Sequence, residues 1–388
     1  MAKIDNVSSC LIKVDGKVVA QSAAGPAGGA DTGYLDTVSV DKRIDCPDAF
    51  QFELDIRIES KIILLDDMRE GKPVEILMGT PGSEVPVFKG EIHYIEPHFR
   101  HGGTSTLMVS GYDKSHRLTR GTSSRTWGDG IQDADLHSSA VQDVISKAAD
   151  GVAEVRDGLS AQKVESPGVQ TRYIPQMNVS DYQFLKWLGH DADRKVDADT
   201  AKDDSQLMFR PIDPTRSPVK VLVREARMGE DQTQIHEARF SLSTIRQVAR
   251  VEVVGWDPKR KKTIVGEADA SDYTFGGTPG HKATGKGLYG SDTAGKVLRI
   301  VDRPVDSKAE ADAIAKSIFN HLSMDFITGE VDFQGDPKVA AGDVVEMKEF
   351  GERFSGKYLV LEVSHSYRTK GEGFRTRCRI ARNDVLKV

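Results

Sequence analysis

The chain has 388 residues, 38% of them hydrophobic, and a net charge of −6 from 53 basic and 59 acidic side chains. That length suits about two to four domains rather than one small core, and the charge balance provides no global basic field to hold nucleic acid. There is no run of about 18 apolar residues to cross a membrane, and the opening MAKIDNVSSC lacks the apolar core of a signal peptide.

The cysteines Cys10, Cys46 and Cys378 are widely separated, without a C-x-x-C, so the expectation is buried reduced thiols rather than disulfides or a zinc site. The first 120 or so residues carry strand signals. Cys10 to Val14 and Lys17 to Ala20 flank an Asp-Gly turn. Phe50, Phe52, Leu54, Ile56 and Ile58 alternate with Gln51, Glu53, Asp55 and Arg57, which predicts a half-buried strand. Val74, Ile76 and Met78 predict another, and Leu107 with Val109 a third. The stretch between them is bounded by Pro86 and Pro97. Short strands with turn chemistry between them imply a small barrel or sandwich.

From Asp135 the period becomes helical, with Val141, Val144, Ile145 and Ala148 in one stripe. Ser180 and Gln183 have capping-box spacing ahead of Phe184, Leu185 and Leu188. His190 to Asp204 is rich in aspartate, but the D-x-D-x-D-G spacing of a calcium loop is missing, so a solvated loop is expected. L-M-F-R-P-I and V-K-V-L-V-R-E restart strands, and Val248, Val251, Val253 and Trp256 suggest a further one. Residues 266–296 hold eight glycines and few large apolar side chains, which predicts a flexible loop. Within it, Gly280 to Lys286 matches the start of a phosphate-binding loop. Gly287 stands where Ser or Thr should hold magnesium, and no strand–helix frame supports it, so no nucleotide site is expected.

The last third opens on Ser307 and Glu310, a second capping box, followed by Ala311, Ile314, Ala315, Ile318 and Leu322 on one helix face. Strand period then takes over. Leu359, Leu361, Val363, His365 and Tyr367 share one side. Phe374, Thr376, Cys378 and Ile380 oppose Arg375, Arg377 and Arg379, with Arg382 beyond, across a Gly-containing turn.

Several runs in this order carry a family resemblance: E-A-D-A-I-A, F-I-T-G-E-V, G-D-P-K-V-A-A-G-D-V-V and F-S-G-K-Y-L-V-L-E-V-S-H-S-Y. They resemble the C-terminal part of the phage late control gene D family, central hubs of contractile tails related to the hub portion of VgrG spike proteins. Earlier, G-K-P-V-E-I, V-F-K-G-E-I, I-E-P-H-F and V-S-G-Y-D-K-S-H-R-L-T-R are similar to that family's N-terminal module, with Tyr112, Asp113, His116, Arg117 and Leu118 matching best. R-Y-I-P-Q-M-N-V-S-D-Y-Q-F-L resembles the VgrG pattern but has Met177 at its aromatic position.

The resemblance implies a mainly β fold with α+β insertions, built on two tail-tube-like β-barrel domains with smaller α/β segments. The expected division is a first barrel over 1–120, an α/β connecting domain over 121–205, and a second barrel over 206–265 and 297–388 carrying the C-terminal helix and hairpin. It further implies a homotrimeric, non-enzymatic baseplate hub that matches a trimeric spike to a hexameric tail tube. Such a hub is made in the cytoplasm and then carried in a phage or phage-like injection particle. Its partners are a separate spike, since no needle follows in this sequence, together with tube and baseplate proteins.

Competing expectations are a tail-tip peptidoglycan hydrolase and a tube subunit. No G-x-S-x-G elbow, nucleophile–base pair or H-E-x-x-H spacing supports an enzyme. His93, His98, His101 and His116 cluster without ligand spacing and read as ordinary surface or core histidines, so no metal or cofactor is expected. Three guanidinium groups at period two are costly to bury without acidic partners. The row Arg375, Arg377 and Arg379 is either a solvated face or one that meets a neighbouring subunit's carboxylates. With Tyr112, Asp113 and His116 these are the interface candidates.

Overall fold

The computed structural model describes residues 8–22, 33–56, 68–101, 103–128, 136–146, 158–168, 173–225, 232–283 and 296–385. It is mainly β, with 52% of the described residues in strands and 16% in helices. The first seven strands are β1 (Ser9–Val14), β2 (Lys17–Gln21), β3 (Gly33–Arg43), β4 (Ala49–Ile56), β5 (Pro73–Gly79), β6 (Val85–His98) and β7 (Ser105–Tyr112). The Asp-Gly hairpin forms between β1 and β2, with Asp15 and Gly16 both at positive φ (52° and 77°), the two-residue turn whose twist suits an antiparallel pair. The strands run in the order β2-β1-β5-β6-β7-β4-β3, and a β2–β3 pairing closes them into a ring. Alternation sends Ile12, Val40, Phe50, Phe52, Phe88 and Val109 inward, all nearly inaccessible to solvent. The register also runs through both expected boundaries: Pro86 and Pro97 lie inside β6 rather than at its ends, and β5–β6 pairing slips by one residue at Leu77 to accommodate Pro86. Arg57 and Ile58 of the predicted alternation lie outside the described residues.

The middle of the chain holds β8 (Ser123–Trp127), α1 (Leu136–Ser146), β9 (Ser160–Val164), β10 (Ile174–Val179), α2 (Asp181–Ala192), β11 (Arg194–Asp199) and β12 (Asp203–Pro211). Ser180 caps α2 by accepting from the Gln183 backbone N–H at 3.2 Å. Val141, Val144, Leu185 and Phe209 bury together as a separate core. The acidic stretch expected as a solvated loop is instead the end of α2 and the β11–β12 hairpin. Cations from the hairpin itself and from segments packed beside it neutralise it: Asp197 meets Lys195 at 2.9 Å and Arg210 at 2.5 Å, Asp191 meets Arg303 at 3.3 Å, and Asp204 meets Lys114 at 3.4 Å.

Next come β13 (Lys220–Val223) and β14 (Thr233–Leu242), then β15 (Arg250–Asp257), β16 (Lys262–Ala268), β17 (Thr278–Pro279), the short α3 (Gly280–Ala283), β18 (Val297–Ile300) and α4 (Lys308–Met324). The chain finishes with β19 (Ile327–Gln334), β20 (Val344–Lys348), the single turn α5 (Gly351–Phe354), β21 (Gly356–Arg368), β22 (Gly373–Arg382) and β23 (Asp384–Val385). A second ring, β21-β20-β13-β14-β19-β22, closes through β21–β22. Leu222, Val331, Phe333, Tyr358 and Cys378 fill it. The rings share one continuous 13-stranded sheet through the antiparallel β3–β21 seam. Tyr367 and Phe374 reach across that seam into the first ring's core.

Residues 250–265 and 297–300, expected in the second barrel, form with 266–268 of the expected loop a separate three-stranded sheet, β16-β15-β18. Its Val251 and Val253 pack on Ala311, Ala315 and Phe319 of α4. That helix is capped as its sequence predicts: Ser307 accepts from the Glu310 N–H at 3.1 Å, and the Glu310 carboxylate accepts from the Asp306 N–H at 2.8 Å. Two side-chain rows change face. A bulge between Val360 and Glu362 shifts β21, so Tyr358 and Val360 point into the second ring with Val363, while Leu359 and Leu361 face a smaller cluster. Trp256 lies opposite Val251 and Val253 and is exposed. Of the Gly-rich segment, residues 266–283 are tied in, with Tyr273 and Phe275 buried and β17 paired to β23; residues 284–295, and with them the second half of the phosphate-loop look-alike, lie outside the described residues.

Candidate functional site

The arginine row lies on the outside of the second ring, because Thr376, Cys378 and Ile380 take the inward positions of β22. Its acidic partners come from the same chain. Arg375 meets Asp332 at 3.3 Å and Glu372 at 2.7 Å, and Arg377 meets the other oxygen of Asp332 at 3.3 Å. Arg379 is exposed and stands in register between Glu330 of β19 and Glu362 of β21. That row continues outward on both sides. Arg239 stands opposite Glu330, and Arg43 pairs with Glu362 at 2.8 Å. Five strands from both rings therefore present Arg239, Glu330, Arg379, Glu362 and Arg43 as a line of alternating charge. Each opposite-charge pair across strands contributes a few tenths of a kcal/mol to about 1 kcal/mol. The acidic half was readable as Glu330 and Asp332 at period two, mirroring the arginines. Arg382 departs from the row: it is fully buried, with its own partners at the end of β22.

Tyr112, Asp113 and His116 come together at the end of β7, where the chain turns into a 3-10 helix at Lys114–Thr119. Asp113 is buried and caps that turn, accepting from the Ser115 N–H at 2.6 Å and from the Asp48 N–H at 2.5 Å. Burial and the neighbouring Asp48 carboxyl push its pKa well above the usual carboxylate range. The Asp48 carboxylate in turn accepts from Thr200, which also receives a hydrogen bond from Lys42 at 2.9 Å, linking the first ring to the β11–β12 hairpin. Asp113 is thus a structural cap inside the molecule, whereas Tyr112 is half exposed. His116 Nδ1 lies 2.7 Å from the Asp113 carbonyl, and its ring sits 3.9 Å from that of His93 on β6. Glu91, on the same strand as His93, pairs with Arg117 through both carboxylate oxygens. Burial lowers His93 to about 4. Sequence proximity suggested four histidines together; register brings in His93 and His116 with Glu91, and leaves out the exposed His98 and His101.

A concavity of about 240 Å³ lies between α2 and α4, walled by Phe184, Trp187, Leu188, Pro304 and Ile314. Within its wall Asp191 pairs with Arg303 through Oδ2, and Glu310 caps α4.

This fold, two closed strand rings on one shared sheet with small α/β units beside them, is similar to those of solved phage tail proteins. The 43 kDa tail protein of prophage MuSo2 from Shewanella oneidensis matches over 97% of this chain and 99% of its own, with a TM-score of 0.64 and 15% identity. A tail protein from Neisseria meningitidis MC58 matches over 98% and 99%, with a TM-score of 0.64 and 12% identity. The E. coli c3393 protein, described as a type VI secretion component structurally similar to the T4 tail proteins gp27 and gp5, matches over 95% and 76%, with a TM-score of 0.55 and 9% identity. A family model described as the Alg8 N-terminal domain matches residues 64–369, and on that span the chain belongs to this family. Its description differs from the tail-hub family that the sequence resembles, so this match does not establish the hub family. No curated protein matches the chain.

Proposed function

We propose that this chain is a structural component of a contractile phage tail or phage-like injection system, and specifically its central hub. The observation that carries the reading is the pair of closed rings held side by side by the β3–β21 seam. A protein carrying two rings per copy can stand as a trimer against a three-fold partner on one side and offer six similar units to a six-fold ring on the other. The partners are then a spike, a tail tube and baseplate proteins, and the chemistry is that of interfaces rather than turnover. Support for the general class comes from tail-protein folds that match nearly end to end. Neither Arg375, Arg377 and Arg379 nor Tyr112 is used up in a core, which suits the role of surface contacts. The alternatives differ in what they predict: a tube subunit has one ring per copy and assembles as hexamers, and a hydrolase clears peptidoglycan. Native mass spectrometry of the purified protein, alone and mixed with tube protein from the same genome, tests the proposal. Trimers that bind tube support it; a hexameric ring of the protein alone, or a lysis band on a peptidoglycan gel, would overturn it.

A further inference from the structure

The group formed by Glu91, His93 and His116 has features that its place in the fold does not require. One ligand atom from each lies within 4.8 Å of the others. His93 Nε2 is buried and has no hydrogen-bond partner, although buried polar atoms are nearly always satisfied. His116 directs Nδ1 at the Asp113 carbonyl oxygen, 2.7 Å away, and a carbonyl in that position makes Nδ1 the donor and leaves the lone pair on Nε2. Asp113 is itself held by two backbone N–H groups, so this orienting contact is rigid. Two imidazoles and a carboxylate are a donor set suited to zinc and its first-row neighbours, with a fourth position left for water or a partner's side chain.

We infer that Glu91, His93 and His116 form a binding site for a divalent transition-metal ion of the zinc type, clamping the 3-10 turn Lys114–Thr119 onto β6. Two arginines contact the same groups. Arg120 lies 3.1 Å from His116 Nε2, and Arg117 pairs with Glu91. They act as place-holders. Arg120 is exposed and free to swing into solvent, and Arg117 needs to release only one Glu91 oxygen. Closing donors that lie up to 4.8 Å apart onto one ion requires side-chain adjustment of an ångström or two, within reach of a glutamate and two histidines on a strand and a single turn.

The test is titration of the full-length protein with Zn²⁺ by calorimetry, followed by Co²⁺ and its visible absorption. The expected result is one ion per chain, a Co²⁺ spectrum of low coordination number and a rise in melting temperature on adding Zn²⁺, since an ion bound only by the folded state stabilises it. His93→Gln and His116→Gln should each weaken binding tenfold or more, while Arg120→Ala should tighten it by removing the competitor. The wild-type Co²⁺ spectrum needs no variant, so the proposal stays testable even if a histidine replacement fails to fold. Absence of stoichiometric binding by the wild type, or binding that survives replacement of both histidines, would overturn it.

Discussion

Arg382 and Asp384 form an ion pair that solvent does not reach: the arginine side chain is 0% exposed and the aspartate 3%. The guanidinium also donates to the Ser355 carbonyl and lies 5.6 Å above the Tyr358 ring, while Asp384 accepts from the Gly277 N–H at 2.6 Å. The pair thereby ties the end of β22, the α5–β21 turn and the β17–β23 pairing to one point. Removing one partner strands a buried charge, so Arg382→Met or Asp384→Leu should each cost about 3–5 kcal/mol in denaturant unfolding. The double replacement should recover most of that loss, because two apolar groups leave no charge unpaired. A double-variant loss equal to the sum of the two single losses would show that the pair is not coupled.

The buried Asp113 and Asp48 make the protein less stable as pH rises toward 8. Burial raises both, with the Asp48 carboxyl adding to the rise in Asp113 and Asp197 adding to that in Asp48: Asp113 goes to about 8 and Asp48 to about 6, against an ordinary value of 3.8. The folded state therefore holds protons that the unfolded chain has released. Stability from these groups is fully present below about pH 4 and is lost as pH rises through their folded values. His93 works the other way, with a folded value near 4 against 6.5, so its effect is gained as pH rises and is complete by about pH 7. The window from 7 to 8.5 isolates Asp113, where one proton changes stability by at most about 1.4 kcal/mol per pH unit. Denaturant midpoints measured across that window should fall with pH in the wild type and flatten in Asp113→Asn. A wild-type midpoint that rises across the window would contradict the burial of the pair.

Much of this fold is legible in the sequence because its strands alternate strictly and its helices are capped by local rules. Phe50 to Leu54, the Asp15–Gly16 turn and the Ser307–Glu310 cap each depend on residues within a few positions of one another. What escapes such reading depends on partners far along the chain. The aspartates from 191 to 204 look solvated until Arg303, Arg210 and Lys114 are brought beside them. The bulge in β21 turns Leu361 away from the row its spacing predicts. The outward arginines were visible as a pattern, but Glu362 and Arg43 belong to strands whose order only topology fixes. His93 and His116 are 23 positions apart, and pairing of β6 with β7 brings them together. The buried arginine at 382 follows from a tail that turns inward, which no periodicity announces.

Gly266 shows the same dependence on distant packing. It opens the segment expected to be a flexible loop, yet a Cβ built there would sit 2.2 Å from the Ala311 carbonyl carbon and 2.3 Å from the Asp312 nitrogen. These are backbone atoms of α4, so no flexible side chain can yield. Gly266→Ala should force β16 from the helix and lower stability by at least about 1–3 kcal/mol, the usual cost of overpacking. Hydrogen exchange in α4 should quicken with it. Gly103→Ala, which would meet only Arg100 side-chain atoms at 3.7 Å or more, is the matched control and should be nearly silent. Comparable melting temperatures for the two variants would count against this packing.

The alternating line across the shared sheet sets the last expectation. Arg379 separates Glu330 from Glu362, so Arg379→Glu places three carboxylates side by side across adjacent strands. Like charges directly opposite are destabilising, and the loss should be about 1 kcal/mol at low salt. Screening by added salt should shrink it, since these groups face water. Adding Glu330→Arg together with Arg239→Glu leaves one like-charged pair where Arg379→Glu alone leaves two, and should return part of the stability, which a change confined to the unfolded chain would not do. The same variants separate folding from assembly. If the face meets another subunit, Arg379→Glu weakens the oligomer far more than the single-chain melt, and compensation by the Arg239→Glu and Glu330→Arg pair fails for the oligomer while succeeding for the melt. Should melting at low salt ignore the reversal altogether, the register of β22 between β19 and β21 would be refuted.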